Sequence, residues 1–196
     1  AVDEYLYLGQ LLCIKGGKEK EISRRMKLGW RAFGRMNLVF KSKIPVCLMK
    51  KAFERHVLPA MTYGCETWTL NGRMVRKLKC TQRSMERCML GITRRDRKRN
   101  IWVRNITKVI DIMERVMKLR WKWAGHVARR TDQRWTKELL EWYPRDRRRT
   151  RGRPKGRWMD EIRRMCGTNW MNVAQDREKW KTLREPFVQK WISSGA

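Results

Sequence analysis

Acidic residues are scarce in this 196-residue chain: 19 Asp and Glu stand against 49 Lys and Arg, for a formal net charge of +30. No two Asp residues are adjacent, and most acids sit beside an Arg or Lys. Two-metal chemistry needs clustered carboxylates that hold ions about 4 Å apart, and the sequence offers no such cluster. Histidine is nearly absent, with only His56 and His126. The six cysteines, Cys13, Cys47, Cys65, Cys80, Cys88 and Cys166, contain no C-x-x-C pair, which excludes zinc-finger spacing. Scattered among apolar residues, they read as reduced, buried thiols of an intracellular protein. There is no run of about 18 apolar residues to make a transmembrane helix, and no signal peptide is visible. The first residue is Ala1 rather than Met, as expected of a chain cut from a longer product.

What is present points elsewhere. Hydrophobic residues make up 41% of the chain, too many for a disordered basic tail. Eleven Trp and twelve Met imply buried surfaces or stacking platforms. A compact monomer with this charge repels itself. The charge therefore implies a polyanionic partner: nucleic acid first, an anionic membrane surface second.

The head, Val2 to Ile14, is nearly uncharged, and its Tyr5-Leu6-Tyr7-Leu8 run suits a short buried strand or hairpin arm before a turn at Gly16-Gly17. Lys18 to Phe40 reads as a helix. Ile22, Met26, Trp30 and Phe33 lie on one face, and Arg24, Lys27, Arg31 and Arg35 form a basic stripe on another. A second helix runs from Ser42 to Leu58 and is ended by Pro59. A third follows Asn71 as N-cap to about Leu90, with Gly91 as the residue that closes it. Arg94 to Arg99 is a charged loop. Asn100 to Arg130 is expected to hold the longest helix, with Ile106, Ile110, Met113, Met117, Trp121 and Ala124 inward and Lys108, Arg115, Lys118, Lys122 and Arg129 outward. Gln133 to Trp142 suits a short helix. Trp158, Ile162 and Met165 suit the inner face of another. A last helix from Trp170 to Arg184 is broken by Pro186, before a frayed end.

Between residues 144 and 157 the chain is a flexible basic linker. Eight of the thirteen residues from Arg145 to Arg157 are Arg or Lys, against the single acid Asp146. Gly152 lets the backbone lie flat and Pro154 keeps it extended. Arg151-Gly152-Arg153-Pro154-Lys155 resembles the AT-hook of chromatin proteins, which implies Arg151 and Arg153 as readers of an A·T-rich minor groove. Read without that resemblance, the stretch is a solvated basic linker or an import signal recognised by its charge.

Five phrases in register carry a wider resemblance. They are Tyr7-Leu8-Gly9; Tyr63-Gly64-Cys65-Glu66-Thr67-Trp68; Arg120 to Arg129 (RWKWAGHVAR); Gly152-Arg153-Pro154 with Arg157-Trp158-Met159-Asp160-Glu161-Ile162; and Trp170 to Arg177 with Trp180. Their order and spacing resemble the C-terminal third of a LINE-type (non-LTR) retrotransposon endonuclease/reverse transcriptase. The resemblance implies that residues 1–17 end the palm, that 18–93 form a thumb-like helical bundle, and that 94–143 are a basic helical segment. Residues 144–157 are then a linker, and 158–196 are Trp-containing C-terminal helices. The implied fold is mainly α with a short N-terminal β element. The implied partners are RNA template, RNA–DNA hybrid or duplex DNA, and the palm domain of the parent polyprotein. The implied location is nuclear or nucleocytoplasmic. The family's catalytic aromatic-x-Asp-Asp turn is missing here, so the Mg2+ of the parent polymerase has no ligands in this chain and no residue is assigned as catalytic. The expected cofactor is none.

Nucleic-acid contact is then expected at Arg24, Lys27, Arg31 and Arg35 for a duplex. Further contacts are expected at Lys108, Arg115, Lys118, Lys122, Arg147, Arg148, Arg149, Arg151, Arg153, Lys155 and Arg157 for phosphates, with Trp123 as a stacking ring. Trp121, Trp158, Trp170 and Trp180 read as core, His126 as a packed or hydrogen-bonded residue, and Glu66 as a cap or a buried partner for an Arg. Ser42, Thr150 and Thr168 have basic neighbours and are phosphorylation candidates. Two alternatives stand beside this reading. One is a stand-alone AT-hook-like minor-groove binder; the other is a basic amphipathic module for a membrane or a calmodulin-like partner.

Overall fold

The computed structural model describes residues 2–14, 17–132, 135–141 and 157–193. It is mainly helical with one two-stranded sheet, the fold class expected from the periodicity and the resemblance. The linker expected at 144–157 lies outside the described residues but for Arg157. The chain forms two units: residues 1–65 with 70–116, and residues 66–69 with 117–196.

The first unit opens with an antiparallel hairpin, β1 (Glu4–Tyr7) and β2 (Gln10–Cys13), in the register Tyr5 to Leu12 and Leu6 to Leu11. Leu8 and Gly9 both take positive φ, 45° and 76°, which matches the twist a two-residue hairpin turn requires. The hairpin is exposed, not buried. Tyr5, Leu6, Tyr7, Leu8 and Leu12 are each at least half accessible. It is anchored through polar groups instead. Leu11 N–H donates to Glu21 at 2.9 Å, Arg24 and Arg25 both donate to the Gly9 carbonyl, and the Tyr63 hydroxyl donates to the Leu8 carbonyl at 3.0 Å.

Helix α1 (Gly17–Arg35) buries Glu21, Ile22, Arg25, Gly29 and Phe33, one face at steps of three and four. Trp30 lies beside that face and stays 39% accessible, so the inward stripe is rotated from the one expected. The helix stops at Arg35, and α2 (Asn37–Lys41) restarts after Met36, which brings Phe40 onto Phe33 with centroids 4.4 Å apart.

Helix α3 (Val46–Ala52) continues through a π turn (Phe53–Val57) into α4 (Leu58–Thr62). Pro59 therefore does not end the helix. The wide turn, closed by Leu58 N–H to Phe53 C=O, comes just before the proline, and Pro59 enters the first turn of α4, where its missing N–H costs least. Phe53, Val57, Leu58 and Met61 are fully buried.

Helix α5 (Gly72–Met89) has the ends the sequence signals. The Asn71 side chain accepts from Met74 N–H. Gly91, at φ 66°, closes a paired motif in which Ile92 N–H reaches Arg87 C=O at 3.0 Å and Gly91 N–H reaches Cys88 C=O at 3.2 Å.

The single helix expected from Asn100 to Arg130 is two: α6 (Asn100–Thr107) and α7 (Ile112–Ala128). Lys108 turns left-handed at φ 48° and ends α6, while Asp111 accepts from Met113 N–H and starts α7. Gln82 holds the break open. Its amide donates to Ile110 C=O and accepts from Ile112 N–H, both at 2.7 Å, while Glu54 takes Ile110 N–H at 3.0 Å.

The second unit is built on tryptophan. It holds the C-terminal part of α7 with α8 (Thr136–Glu141), α9 (Asp160–Cys166), α10 (Trp170–Val173), α11 (Arg177–Thr182) and α12 (Arg184–Ser193). Trp121 and Trp180 stack at 3.9 Å, and each indole N–H donates to the other's backbone carbonyl, at 2.8 and 3.0 Å. Trp170, Ile162, Ala174 and Val188 are fully buried around them, with Phe187 nearly so. The helix expected to run from Trp170 to Arg184 is interrupted by Asp176, which caps α11 through Glu178 and Lys179 N–H. Pro186 breaks nothing. It falls in the first turn of α12, which runs on to Ser193.

The cysteines are free, but Cys47, Cys80 and Cys88 are exposed rather than buried, because each faces outward on its helix.

At Gly29, α1 lies directly against Met61 of α4. A methyl there would collide with the buried Met61 Cγ and lie 3.1 Å from its sulfur, whereas nothing lies within 4 Å of Gly34. Gly29→Ala is expected to lower stability by about 1–3 kcal/mol through overpacking. Gly34→Ala, in the same helix, is expected to raise it by up to ~1 kcal/mol through helix propensity. Urea denaturation of both variants checks the pair.

Candidate nucleic-acid interface

Two of the rare acids, Glu21 and Glu86, are buried, and Asp111 and Glu161 are half-buried; all four hold arginines. Glu21 (3% accessible) binds Arg25 (5%) and Arg24 on α1. Glu86 has no accessible side-chain surface, and it takes Arg83 and the Thr107 hydroxyl. Burial raises its carboxyl above the ordinary value, against the opposing pull of Arg83 and Arg104. Asp111 accepts from both Arg83 (2.6 Å) and Arg104 (2.8 Å). In the second unit Glu161 binds Arg120, which is 2% accessible, also donates to Trp68 C=O, and lies over the Trp158 ring at 5.3 Å.

This arrangement sorts the basic residues expected at the interface. On α1, Lys27, Arg31 and Arg35 project from one exposed stripe, four residues apart. Arg24 shares the stripe but is turned to Glu21 and the Gly9 carbonyl. Lys108 is exposed at the left-handed end of α6. Arg115 is half-buried, with Nε donating to the Thr62 hydroxyl at 3.1 Å. Lys118 lies 3.2 Å from Glu185, and Lys122 is exposed. Trp123 meets Trp158 edge-on at 5.0 Å, so one side of its ring is covered. Arg157 is exposed, and its N–H donates to Asp160 at 2.6 Å. Arg147, Arg148, Arg149, Arg151, Arg153 and Lys155 lie outside the described residues. Glu66 contributes its backbone: its carbonyl accepts from the Trp158 indole.

Two basic groupings emerge only in three dimensions. In the first unit, the loop Arg94–Arg99 is held in shape. Asp96 accepts from the Thr93 N–H (2.6 Å) and hydroxyl (2.9 Å), and Arg87 fastens Lys98 C=O (3.0 Å) and Asn100 (2.7 Å). Arg94, Arg95, Arg97 and Arg99 are left exposed, and Lys98 lies over the partly exposed Trp102 ring at 5.3 Å. In the second unit, Lys122 and His126 lie one turn apart on α7, Arg129 and Arg130 follow its last residue, and Arg177 begins α11. Loss of hydration, then the charges of Arg129, Lys122, Arg177 and Arg130, hold His126 below the ordinary imidazole value.

Among the described residues no three His, Cys, Asp or Glu side chains come together as a metal site, and no helix is long and apolar enough to cross a membrane.

No protein-family model matches the chain, and no solved structure does. An uncharacterized transposon-derived protein of Caenorhabditis elegans is 36% identical over 192 residues, covering 91% of this chain and 69% of the relative. The chain belongs to this transposon-derived family.

A transposon-derived chain with this interior presents its excess cations on the outside. The Arg94–Arg99 loop was legible in sequence only as a run of charge, since its order depends on Arg87, eleven residues upstream of Lys98. The second-unit grouping needs Arg177, which no spacing along α7 predicts. The loop has a direct check. The Thr93 N–H and hydroxyl hold the Asp96 carboxyl below its ordinary value, so this turn is fully held above the ordinary Asp range and lost as pH falls through the lowered value. Asp96→Ala is expected to speed hydrogen exchange of the Thr93 amide several-fold at neutral pH while leaving the melting temperature nearly unchanged. Exchange measured by NMR reads both effects.

Proposed function

We propose that this chain is the nucleic-acid-binding C-terminal portion of a retrotransposon reverse transcriptase, which grips RNA template, hybrid or target DNA through its basic helices and loops. One observation carries the reading: Lys and Arg outnumber Asp and Glu by 49 to 19, and the stripe Lys27, Arg31 and Arg35 and the loop residues Arg94, Arg95, Arg97 and Arg99 stand exposed on the folded body. Membership of a transposon-derived family supports the same class of partner.

The mechanism is counterion release. Each Lys or Arg that meets a phosphate frees condensed cations, which makes binding steeply salt-dependent and mostly blind to sequence. On this reading residues 18–93 serve as the thumb, and the Lys27–Arg31–Arg35 stripe tracks a duplex backbone. The basic stretch 145–157 supplies further phosphate contacts in the nucleus or nucleocytoplasm. The exposed apolar side chains of the β1–β2 hairpin suit a covering partner, which the reading assigns to the palm domain of the parent polyprotein. Polymerisation chemistry is assigned to that parent and to no residue here.

The test is a salt series with structured RNA, RNA–DNA hybrid, A·T-rich duplex and G·C-rich duplex. RNA or hybrid is expected to bind tightest. The triple variant Lys27→Glu, Arg31→Glu, Arg35→Glu is expected to weaken hybrid binding tenfold or more and to flatten the logarithmic salt slope by about three, roughly one per phosphate contact. Failure to bind any of the four at low salt would sink the reading. An A·T-rich preference abolished by Arg153→Ala would replace it with minor-groove binding.

A further inference from the structure

We propose that Lys122 and His126 of α7 and Arg129 of the turn that closes it, together with Arg177 of α11, form a binding site for a single phosphate group. The proposal rests on the nucleic-acid reading only for the origin of that phosphate.

Positions 122 and 126 lie one turn apart on α7, and Arg129 N–H still donates to Gly125 C=O at 3.2 Å, so the helical spacing carries to the residue that follows the helix. Arg177 follows by two residues the Ala174–Gln175 segment that is bonded to the end of α7, and its charge acts on His126 and Arg129. Gly125 allows close approach: a methyl there would lie 2.5 Å from the Trp180 indole nitrogen and 3.0 Å from Arg129 Nη2. Arg129 Nη1 donates to Ala174 C=O at 2.6 Å, and Gln175 donates back to Ala128 C=O at 2.9 Å. The end of α7 is thereby fastened to the turn that leads into Arg177.

The grouping has no countercharge of its own. Among the described residues, Lys122, His126, Arg129 and Arg177 form no ion pair. The neighbouring acids are engaged elsewhere: Asp176 caps α11 through Glu178 and Lys179 N–H, and Glu178 faces Lys181 at 3.8 Å. Arg130, just past the helix, adds another positive charge. Lys137 of α8 is turned to the Arg130 carbonyl. Lys122, His126 and Arg177 are exposed and Arg129 half-buried, so an anion can reach all four. Cations gathered without an acid repel one another, and a phosphate removes that cost.

His126 reports the event. Loss of hydration and the surrounding cations disfavour its protonated form in the free protein. An arriving phosphate reverses the local field, so the imidazole gains a proton and donates to the anion. By linkage, affinity for phosphate rises as pH falls through the phosphate-bound His126 value toward the lower free value.

The chain contains only two histidines, so NMR of labelled imidazole C–H groups in the full chain follows each separately, with exposed His56 of the first unit as internal reference. The probes are inorganic phosphate and one oligonucleotide carrying either a 5′-phosphate or a 5′-hydroxyl. Phosphate is expected to raise the His126 pKa by about one unit, a tenfold gain in proton affinity, with His56 unmoved. Arg177→Gln, at an exposed side chain, is expected to abolish most of that rise without altering the fold. His126→Gln is expected to keep oligonucleotide binding at pH 8 and to lose the strengthening seen at pH 6. An effect confined to the 5′-phosphorylated strand assigns the site to a terminal phosphate; equal effects of both strands assign it to an internal phosphodiester. A His126 titration that phosphate and both strands leave unchanged would overturn the site. If the strands nevertheless bind, the nucleic-acid reading survives that loss. If no strand binds while inorganic phosphate moves His126, the site stands and the nucleic-acid reading falls.

Discussion

The structure depends on a handful of buried carboxylates. With so few acids, each interior one does the work of several neutralising groups: Glu21 draws in Arg24 and Arg25, Asp111 joins Arg83 to Arg104, and Glu161 fixes Arg120. Removing one partner of such a pair strands a charge away from water, at a cost of about 3–5 kcal/mol. These pairs also organise backbone. Glu21 takes Leu11 N–H, and the arginines it holds reach the hairpin turn, so an exposed strand pair is kept in place without burying its own side chains. Each interior pair is neutral or nearly so, and the chain's excess of Lys and Arg is therefore carried outside these pairs.

Features encoded by neighbours in the chain were legible in the sequence. The Asn71 cap and the Gly91 terminus of α5 are local chemistry, and both appear in the structure. The mainly helical class followed from periodicity that survives in Ile22, Phe33, Met113, Met117 and Trp121. Features that depend on distant partners were not legible. The break between α6 and α7 requires Gln82 and Glu54 to bond its free backbone groups. Pro59 looked terminal because a π turn ahead of it leaves no apolar signature.

The interface divides along the same line. Lys27, Arg31, Arg35 and Lys122 are open, as helix geometry alone suggested. Arg24, Arg115 and Lys118 carry the same charge at the same spacing, but they face acceptors supplied by Gly9, Thr62 and Glu185. Charge periodicity places a residue on the outside of a helix; what it touches there is decided by the neighbouring element. The tryptophans show the converse. Their number suggested either stacking platforms or core, and burial of Trp121, Trp170 and Trp180 places those three in the core.

The reciprocal bonds of Trp121 and Trp180 constrain how copies of such a gene can drift. Each indole donates to the backbone of the other, so exchanging either residue for an aliphatic one removes one of the two bonds that tie α7 to α11. The surviving indole keeps its own bond but loses its stacking face. The two codons are thus tied together in heredity, although they lie 59 positions apart. A lineage under selection that alters one must repair the second unit at both places, whereas copies freed from selection lose the pair one residue at a time.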